Sequence, residues 1–245
     1  MCRAAPFFLG SVMGLRPLCR AFAYEPRIAL IIDDIGFSRS RAREFIELAL
    51  PMTFSILPRL SRSEELAREI HHEGREIMLH QPMEPRNPDL NPGPGALFVG
   101  NGEDRILRVM EENISAVPYA VGVNNHMGSR FTATHPEIRK ALEVLKTRNL
   151  LFVDSLTTSS SMAYETARDL RLPAGYRNVF LDNHPGEPAI LCQLRKLKRI
   201  ALRHGHAIGI GHPHPETARA IGRFSHDLER SGISLVHVSR LIHTA

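Results

Sequence analysis

Two adjacent carboxylates follow the first buried strand that the sequence predicts. Residues 27–36 contain five consecutive apolar residues and then Asp33 and Asp34. A short, isoleucine-rich apolar run between turn signals is typical of a strand that is buried on both faces. Two neighbouring carboxylates repel each other, so a bound cation, a shared proton or solvent must offset their charge. The pair is therefore the first candidate for a chemical site, with an ordinary solvated loop as the alternative.

Other aspartates and histidines stand at or just after the ends of later predicted strands. They are His80, His126, Asp154, Asp182 and His212. Carboxylate and imidazole ligands without thiolates suit Zn²⁺ or another first-row divalent cation. A catalytic site of that kind keeps one position open for water, whose pKa the metal lowers to about 7.

One aspartate and two histidines would hold such a cation and leave that position free. The other member of the aspartate pair could then accept a proton from the water, and His212 could protonate a leaving group or stabilise an oxyanion. Adjacent residues at the end of a strand point in different directions. One carboxylate can therefore face the metal while the other faces the substrate.

The alternation of predicted strands and helices indicates how these residues come together. After the first strand, further strands are predicted at residues 52–57, 76–79, 120–123, 150–153, 179–181, 207–210 and 234–238, with a helical segment between successive strands. Such alternation predicts an α/β fold with a parallel sheet, and the number of units favours a closed barrel over an open sheet. A barrel built from βα units places its active site at the carboxyl ends of its strands.

One long segment fits neither a helix nor a central strand. Residues 81–102 contain five prolines, at positions 82, 85, 88, 92 and 94. Proline at this density excludes helix interiors and central strands. A loop near twenty residues is unusual inside a compact domain and is often a functional cover. We expect such a cover here, with disorder as the alternative.

The first 23 residues resemble a secretory signal peptide. Arg3 is followed by a mostly apolar stretch and then by Ala-Phe-Ala at residues 21–23, a small-x-small cleavage pattern. Two further arginines before that pattern are atypical, so a poorly ordered start or a misplaced initiation site is the alternative. We expect a signal peptide at residues 1–23, a single domain at 24–245, and a periplasmic or secreted protein. No later segment is apolar for long enough to span a bilayer.

Charge and cysteine content exclude some classes of partner and leave others open. The formal net charge is +5, but three of the 31 basic residues and none of the 26 acids lie in residues 1–23. No dense basic block follows, aromatic residues make up 6% and tryptophan is absent, so nucleic acid is not the expected partner. Without Cys2 and Cys19, a mature chain would retain only Cys192 and no internal disulfide.

The motifs at these strand ends resemble those of the divergent polysaccharide deacetylase family. The resemblance is carried by Asp-Asp-x-Gly at 33–36, Met-Leu-His-Gln-Pro-Met-Glu at 78–84, Gly-Val-Asn-Asn-His-Met-Gly-Ser-Arg-Phe at 122–131, Phe-Val-Asp-Ser at 152–155 and Ile-Gly-His-Pro at 210–213. It covers nearly all of the chain after residue 27. The family is similar to the broader NodB-homology deacetylases. The resemblance therefore implies a distorted (β/α)₇ barrel and the removal of N- or O-acetyl groups from sugars by a metal-bound water.

The resemblance also implies a role for each matching residue. Asp33 matches the general base, and Asp34 matches the aspartate that binds the metal. His80 matches the first metal-binding histidine, and His212 matches the late histidine that assists the leaving group. Asp154 matches an acidic position that orients neighbouring catalytic groups.

Two departures from the broader pattern leave the third metal ligand open. The broader enzymes carry His-x-x-x-His, whereas the fourth residue after His80 is Glu84. Their Arg-x-Pro motif is also missing, and Asn125, His126 and Arg130 stand in its neighbourhood. We expect His126 to supply the missing imidazole, with Glu84 as the rival ligand. Asn125 and Arg130 are the candidate substrate-binding residues, although Arg130 could instead pair with a loop acid.

The expected protein is thus a divalent-metal hydrolase, with Zn²⁺ as the expected ion and a carbohydrate as the substrate. A different class is also compatible with the departures. A protein that retains the metal but lacks the acetyl-binding groups would be a non-catalytic glycan-binding or envelope-assembly protein of the same fold.

Overall fold

A computed structural model describes residue 1 and residues 25–242 of the chain. The predicted signal peptide, residues 1–23, lies outside the described residues except for Met1. Among the helices of the described part, none combines the length and the apolar character needed to cross a membrane.

A single parallel sheet organises the described residues. Its strands are β1 (Arg27–Ile35), β2 (Thr53–Ile56), β3 (Glu76–Met83), β4 (Ala120–Met127), β5 (Leu151–Asp154), β6 (Ala174–Tyr176), β7 (Val179–Phe180), β8 (His206–Gly211) and β9 (Ser234–Leu235). Eight strands run in the order β6-β5-β4-β3-β2-β1-β8-β7, and β9 pairs with β1. Within residues 25–242, β6 and β7 end the sheet and do not pair with each other. The curled, incompletely closed parallel sheet confirms the expected distorted barrel.

Seven α-helices of the described residues connect and cover the strands. They are α1 (Arg39–Ile46), α2 (Ser63–His72), α3 (Glu103–Ala116), α4 (His135–Thr147), α5 (Ala163–Asp169), α6 (Glu187–His204) and α7 (Pro215–Glu229). Helix α1 begins after Ser38, whose hydroxyl accepts a hydrogen bond from the Arg41 amide. Helix α6 ends at Gly205, which adopts φ 84°, the left-handed conformation that glycine adopts without steric cost.

Alternation along the strands produces two separate apolar clusters. Ile28, Leu30 and Ile32 of β1 pack in a large cluster together with residues of the helices. Ala29 and Ile31 belong to a smaller cluster that contains strand residues and no residue of α1 to α7. Side chains two residues apart share one face of a strand. The smaller cluster therefore marks the concave inner face of the sheet.

The inner face becomes polar toward the carboxyl ends of the strands. Asp33 follows Ala29 and Ile31 on β1 at a spacing of two, and His80 follows Met78 on β3 in the same way. Ser155 continues the inner face beyond Val153 of β5, and His212 continues it beyond Ile210 of β8. The same alternation that fills the barrel with apolar side chains thus places polar side chains at its mouth.

Some element boundaries differ from those predicted from sequence. Strands β3 and β4 continue to Met83 and Met127, because they pair with each other for most of their length. His80 and His126 consequently lie within strands instead of after them. Pro82 is tolerated in β3 because the pairing with β2 ends at Leu79. The short strand β6 was not predicted, since its three residues are too few to show a pattern.

The proline-rich segment predicted as a cover is irregular from residue 84 to 102 and is anchored to the barrel. The Gly95 carbonyl accepts hydrogen bonds from Gln81 Nε2 at 3.0 Å and from Asn113 Nδ2 at 2.8 Å. Gly95 has φ 73°, and a Cβ at this position would collide with the Asn113 side chain. Pro85 and Leu90 of this segment line a cavity at the mouth of the barrel.

Candidate active site

A local irregularity in β1 explains how two adjacent carboxylates reach the same histidine. The register between β1 and β2 shifts between Ile32 and Ile35, and Asp34 adopts φ 57°. Aspartate enters this left-handed region more readily than most residues, and such bulges re-aim side chains. As a result, His80 Nε2 lies 3.6 Å from Asp33 Oδ2 and 3.2 Å from Asp34 Oδ1.

Three possible ligand atoms form a nearly equilateral triangle. Asp34 Oδ1 lies 3.2 Å from His80 Nε2 and 3.0 Å from His126 Nδ1. The two histidine nitrogens are 3.2 Å apart. Tetrahedral coordination with bonds of about 2.0–2.1 Å separates ligand atoms by about 3.3 Å. The triangle therefore has the dimensions that a small divalent cation requires on one face of its coordination sphere.

The hydrogen bonds around His80 determine which of its nitrogens faces the triangle. Asn124 Nδ2 donates to Asp33 Oδ1 at 2.8 Å, which turns Asn124 Oδ1 toward His80 Nδ1 at 2.7 Å. A carbonyl oxygen only accepts, so the Nδ1 atom of His80 carries a hydrogen. In the neutral ring, Nε2 then points a lone pair into the triangle.

Asp34 Oδ1 is a buried acceptor without a hydrogen-bond donor among the described residues. A buried polar atom in this condition is costly unless another group compensates it. The residues present therefore fit a divalent cation, and His80, His126 and Asp34 are the side chains that would hold it.

The pKa values of the adjacent carboxylates Asp33 and Asp34 are shifted in opposite directions. Burial raises the pKa of Asp33, although His80, His212 and the Asn124 hydrogen bond oppose that effect. Burial also disfavours the charged form of Asp34, but His126 and His80 outweigh it and hold the pKa of Asp34 well below its usual range. Asp34 is thus ionised at neutral pH, whereas Asp33 is the better proton acceptor of the two.

A second aspartate–histidine pair lies across the mouth. Asp182 Oδ1 is 2.9 Å from His212 Nδ1, and Asp182 Oδ2 accepts hydrogen bonds from the His212 amide at 2.6 Å and from Thr217 Oγ1 at 2.9 Å. Burial lowers the pKa of His212, but the hydrogen bond and charge of Asp182 outweigh it and raise that pKa to about 9. His212 therefore carries a proton at neutral pH.

Two cavities meet at these groups. One has a volume of about 400 Å³ and is lined by Asp34, Phe37, Arg41, His212 and His214, with three neighbouring residues. The other has about 290 Å³, and its lining includes Asp33, His80, His126, Ser155, Phe180 and His212. A ligand that occupies either cavity would therefore contact both the triangle and His212, or lie directly beside them.

A family model matches the part of the chain that contains the site and nearly all of the sheet. The model of the divergent polysaccharide deacetylase family matches residues 30–242. The chain belongs to the divergent polysaccharide deacetylase family. The uncharacterized protein YibQ of Escherichia coli (strain K12) is 32% identical over 220 residues, which cover 89% of this chain and 67% of that protein.

Solved structures extend the comparison from sequence to fold. The crystal structure of an uncharacterized protein from Agrobacterium tumefaciens C58 matches with a TM-score of 0.85 and 29% identity, over 90% of this chain and 91% of that one. A CE4 family pseudoenzyme from Bacillus anthracis matches with a TM-score of 0.53 and 14% identity, over 89% of this chain and 65% of that one. A mutant of that pseudoenzyme has restored enzymatic activity. At such low identity, the likeness to the pseudoenzyme concerns the fold alone.

Asp154 of this deacetylase-family chain, expected to orient neighbouring catalytic groups, contacts the loop that follows β5. Its Oδ2 accepts hydrogen bonds from Ser161 Oγ at 2.7 Å and from the Tyr164 amide at 3.2 Å, and its Oδ1 accepts from the Leu156 amide at 2.9 Å. Asp154 therefore fixes the loop after β5. The carboxylate that contacts the His212 ring is Asp182, and the orienting role that the resemblance implies for Asp154 remains a prediction.

The rival ligand Glu84 points away from the triangle. Its Oε1 lies 2.7 Å from Arg130 Nη1, and its Oε2 accepts a hydrogen bond from the Val99 amide at 2.7 Å. The geometry thus brings His126 and not Glu84 to Asp34. Arg130 pairs with a loop acid, which is the alternative that the sequence left open.

Asn125, expected at the substrate, uses both ends of its amide within the protein. Its Nδ2 donates to the Met127 carbonyl at 2.8 Å, and its Oδ1 accepts from the Ser155 amide at 2.9 Å. Asn125 lines the 290 Å³ cavity but holds its wall together. Its contact with a substrate remains a prediction.

Two polar residues of the site were not singled out from sequence. Asn124 belongs to the motif at 122–131 and Ser55 to the strand predicted at 52–57, and neither was predicted to be a site residue. Ser55 alternates with Thr53 between apolar residues, a pattern that indicates one polar face. The contact of Ser55 Oγ with Asn124 Oδ1, at 2.5 Å, depends on the pairing of distant strands, which no local pattern reveals.

Proposed function

We propose that this chain is a metal-dependent hydrolase that removes acetyl groups from a carbohydrate. The observation that carries the proposal is the meeting of three unlike groups at one mouth. They are a cation-sized triangle of ligand atoms, a buried carboxylate beside it, and a protonated histidine across from it. Membership in the deacetylase family supports a sugar as the substrate.

The ligand set favours Zn²⁺. Two imidazole nitrogens and one carboxylate oxygen, with no thiolate, form the type of set found in catalytic zinc sites with a free position. A cation held by Asp34, His80 and His126 would supply Lewis acidity toward a carbonyl oxygen and would acidify water. The remaining chemistry belongs to residues of the chain itself.

Asp33 is the group that we assign to proton acceptance. It lies beside the triangle, faces the 290 Å³ cavity and is almost completely buried. Burial raises its pKa and so increases the basicity of the ionised carboxylate. The Asn124 amide holds one of its oxygens and leaves the other on the side of His80.

His212 is the group that we assign to the leaving amine or alkoxide. Asp182 fixes the ring through Nδ1, so Nε2 is the nitrogen that remains available for the reacting groups. Because the pKa of His212 is raised to about 9, the ring holds a proton to deliver at neutral pH. General acid catalysis of this kind typically contributes about 10²–10⁴-fold to a rate.

A non-catalytic glycan-binding protein is the second candidate, and one observation favours it. Asn125 and Arg130, the residues expected at the substrate, are occupied by contacts within the protein. A chain of this kind would retain the metal and bind a glycan without hydrolysing it.

Release of acetate distinguishes the two candidates. Zn²⁺-loaded protein would be incubated with acetylated chitin, xylan and peptidoglycan fragments, with Asp33→Asn as the control. We expect acetate release above that control on at least one substrate, with the metal content of the two proteins equal. Binding of a fragment without acetate release would favour the glycan-binding candidate.

We also propose that the mature protein works in the periplasm or outside the cell, because residues 1–23 have the pattern of a signal peptide. N-terminal sequencing of exported protein is expected to begin at Tyr24. An intact Met1 in that fraction would count against cleavage.

A further inference from the structure

We propose that Asn124 is a positioning residue that fixes the tautomer of His80 and aims the Asp33 carboxylate at the same time. The inference rests on the proposed function, because it concerns the residues assigned to metal binding and proton acceptance. It assigns a role to a side chain that would touch neither the metal nor the substrate.

The pairing of β3 with β4 places Asn124 beside His80. The two residues are direct partners in the register of the parallel strands. Side chains of such partners project from the same face of a sheet. Asn124 is fully buried and His80 is 2% exposed, so the contact between them excludes solvent.

Each polar atom of the Asn124 amide has a partner that determines its orientation. Its Nδ2 donates to Asp33 Oδ1 at 2.8 Å. Its Oδ1 lies 2.7 Å from His80 Nδ1 and accepts a hydrogen bond from Ser55 Oγ at 2.5 Å. The carboxylate cannot donate when ionised, so the NH₂ group must face Asp33 and the carbonyl must face His80.

One amide therefore connects the two halves of the proposed chemistry. On the His80 side, the carbonyl requires a hydrogen on Nδ1 and leaves Nε2 free toward Asp34. On the Asp33 side, the NH₂ group occupies one carboxylate oxygen. Partners of this kind for metal-binding histidines typically change metal affinity by about 10–100-fold when they are removed.

Two substitutions at this position separate the two halves. Asn124→Leu removes both polar ends at similar volume, and we expect Zn²⁺ to bind about 10–100-fold more weakly in titration calorimetry. Asn124→Asp keeps an oxygen that accepts from His80 Nδ1 but places a second carboxylate oxygen against Asp33. We expect this variant to recover the Zn²⁺ affinity of the natural protein while losing acetate release.

A matched control is available at another buried asparagine. Asn113 is also fully buried, and its amide holds the 84–102 segment through Gly95 instead of holding the site. Asn113→Leu makes the same chemical change and is expected to lower stability while leaving Zn²⁺ affinity unchanged. A general loss of packing would instead weaken Zn²⁺ binding in both leucine variants.

Nitrogen NMR of the natural protein tests the tautomer without any substitution. In metal-free protein at a pH where the imidazoles are neutral, we expect the hydrogen of His80 on Nδ1. A hydrogen on Nε2, or an Asn124→Leu variant with natural Zn²⁺ affinity, would overturn the inference. If Asn124→Leu does not fold, the NMR result and Asn124→Asp decide. Absence of acetate release by the natural protein would count against the proposed function but would leave these measurements decisive for Asn124.

Discussion

Two aspartate–histidine groups face each other across the mouth of the barrel, and they differ in how completely their polar atoms are satisfied. Asp182 accepts three hydrogen bonds, from the His212 ring, the His212 amide and Thr217. Asp34 Oδ1 is buried among ring nitrogens and has no hydrogen-bond donor among the described residues. The same two residue types thus form two different groups. In the complete group, Asp182 and His212, the carboxylate is fully hydrogen-bonded; in the incomplete group, Asp34 with His80 and His126, one buried carboxylate oxygen has no donor among the described residues.

This difference determines what each group is suited to hold. The complete group needs no further charge and stabilises a proton on His212. The incomplete group presents three possible ligand atoms that lie 3.0–3.2 Å apart, a spacing that suits a small divalent cation. Local backbone geometry sets the contrast. Asp34 adopts the left-handed conformation beside the triangle, whereas Asp182 accepts the His212 amide hydrogen at the end of the neighbouring strand.

Removal of a ligand from the incomplete group should have the largest effect. His126→Ala deletes one corner of the triangle, so we expect Zn²⁺ affinity to fall by more than about 100-fold, beyond the range seen for outer partners. Metal content after dialysis and titration calorimetry would measure it. Glu84→Gln is the control and should keep full occupancy. Loss of metal in Glu84→Gln, with full occupancy in His126→Ala, would make Glu84 the third ligand.

Removal of the carboxylate from the complete group should reduce turnover and spare the metal. Asp182→Asn withdraws the negative charge that holds the proton on His212, so we expect kcat for acetate release to fall by about 10²–10⁴-fold. Thr217→Val removes only one hydrogen-bond donor to the same carboxylate, so it should lower kcat much less. Equal rates for Asp182→Asn and the natural protein would exclude His212 as a proton donor.

The complete group should also make stability depend on pH. The pKa of His212 is raised to about 9 in the folded chain, against about 6.5 for an unperturbed histidine. The folded state therefore binds more protons between these values, and its extra stability is present below about 6.5 and is lost as the pH rises to about 9.

Asp182→Asn isolates this contribution. In metal-free protein, the free energy of unfolding of the natural chain should fall relative to the variant by at most about 1.4 kcal/mol per pH unit across this window. Chemical denaturation at several pH values measures the difference. A constant difference from pH 6 to 9 would mean that Asp182 does not hold a proton on His212.

The sequence alone was sufficient to predict the barrel and the types of residue at its mouth. Period-two alternation and apolar runs reveal which residues are buried, and Asp33, His80 and His212 stand where such runs end. The contacts among them were not predictable. Which aspartate orients His212 depends on the pairing of β7 with β8, and the position of Asn124 depends on the register of β3 with β4.

The same limit applies to the role predicted for Asp154. This residue ends β5 as expected, but the loop after β5 folds back and supplies three donors to its carboxylate. A strand end is therefore a sufficient reason to suspect a site residue and an insufficient reason to assign its role. Asp182, which follows a strand only two residues long, makes the contact with His212.

An exposed ion pair at the rim contrasts with both buried aspartate–histidine groups. Its loss should have the smallest effect on stability and metal binding. Glu84 and Arg130 lie 2.7 Å apart, but the Arg130 side chain is 56% exposed. Solvent-exposed pairs contribute about 0–1 kcal/mol, so Arg130→Ala should change the free energy of unfolding by less than about 1 kcal/mol and leave Zn²⁺ occupancy intact. Chemical denaturation and metal analysis of the variant would measure both. A large rise in KM for an acetylated fragment, with stability unchanged, would instead return Arg130 to the substrate-binding role that its position in the motif suggests.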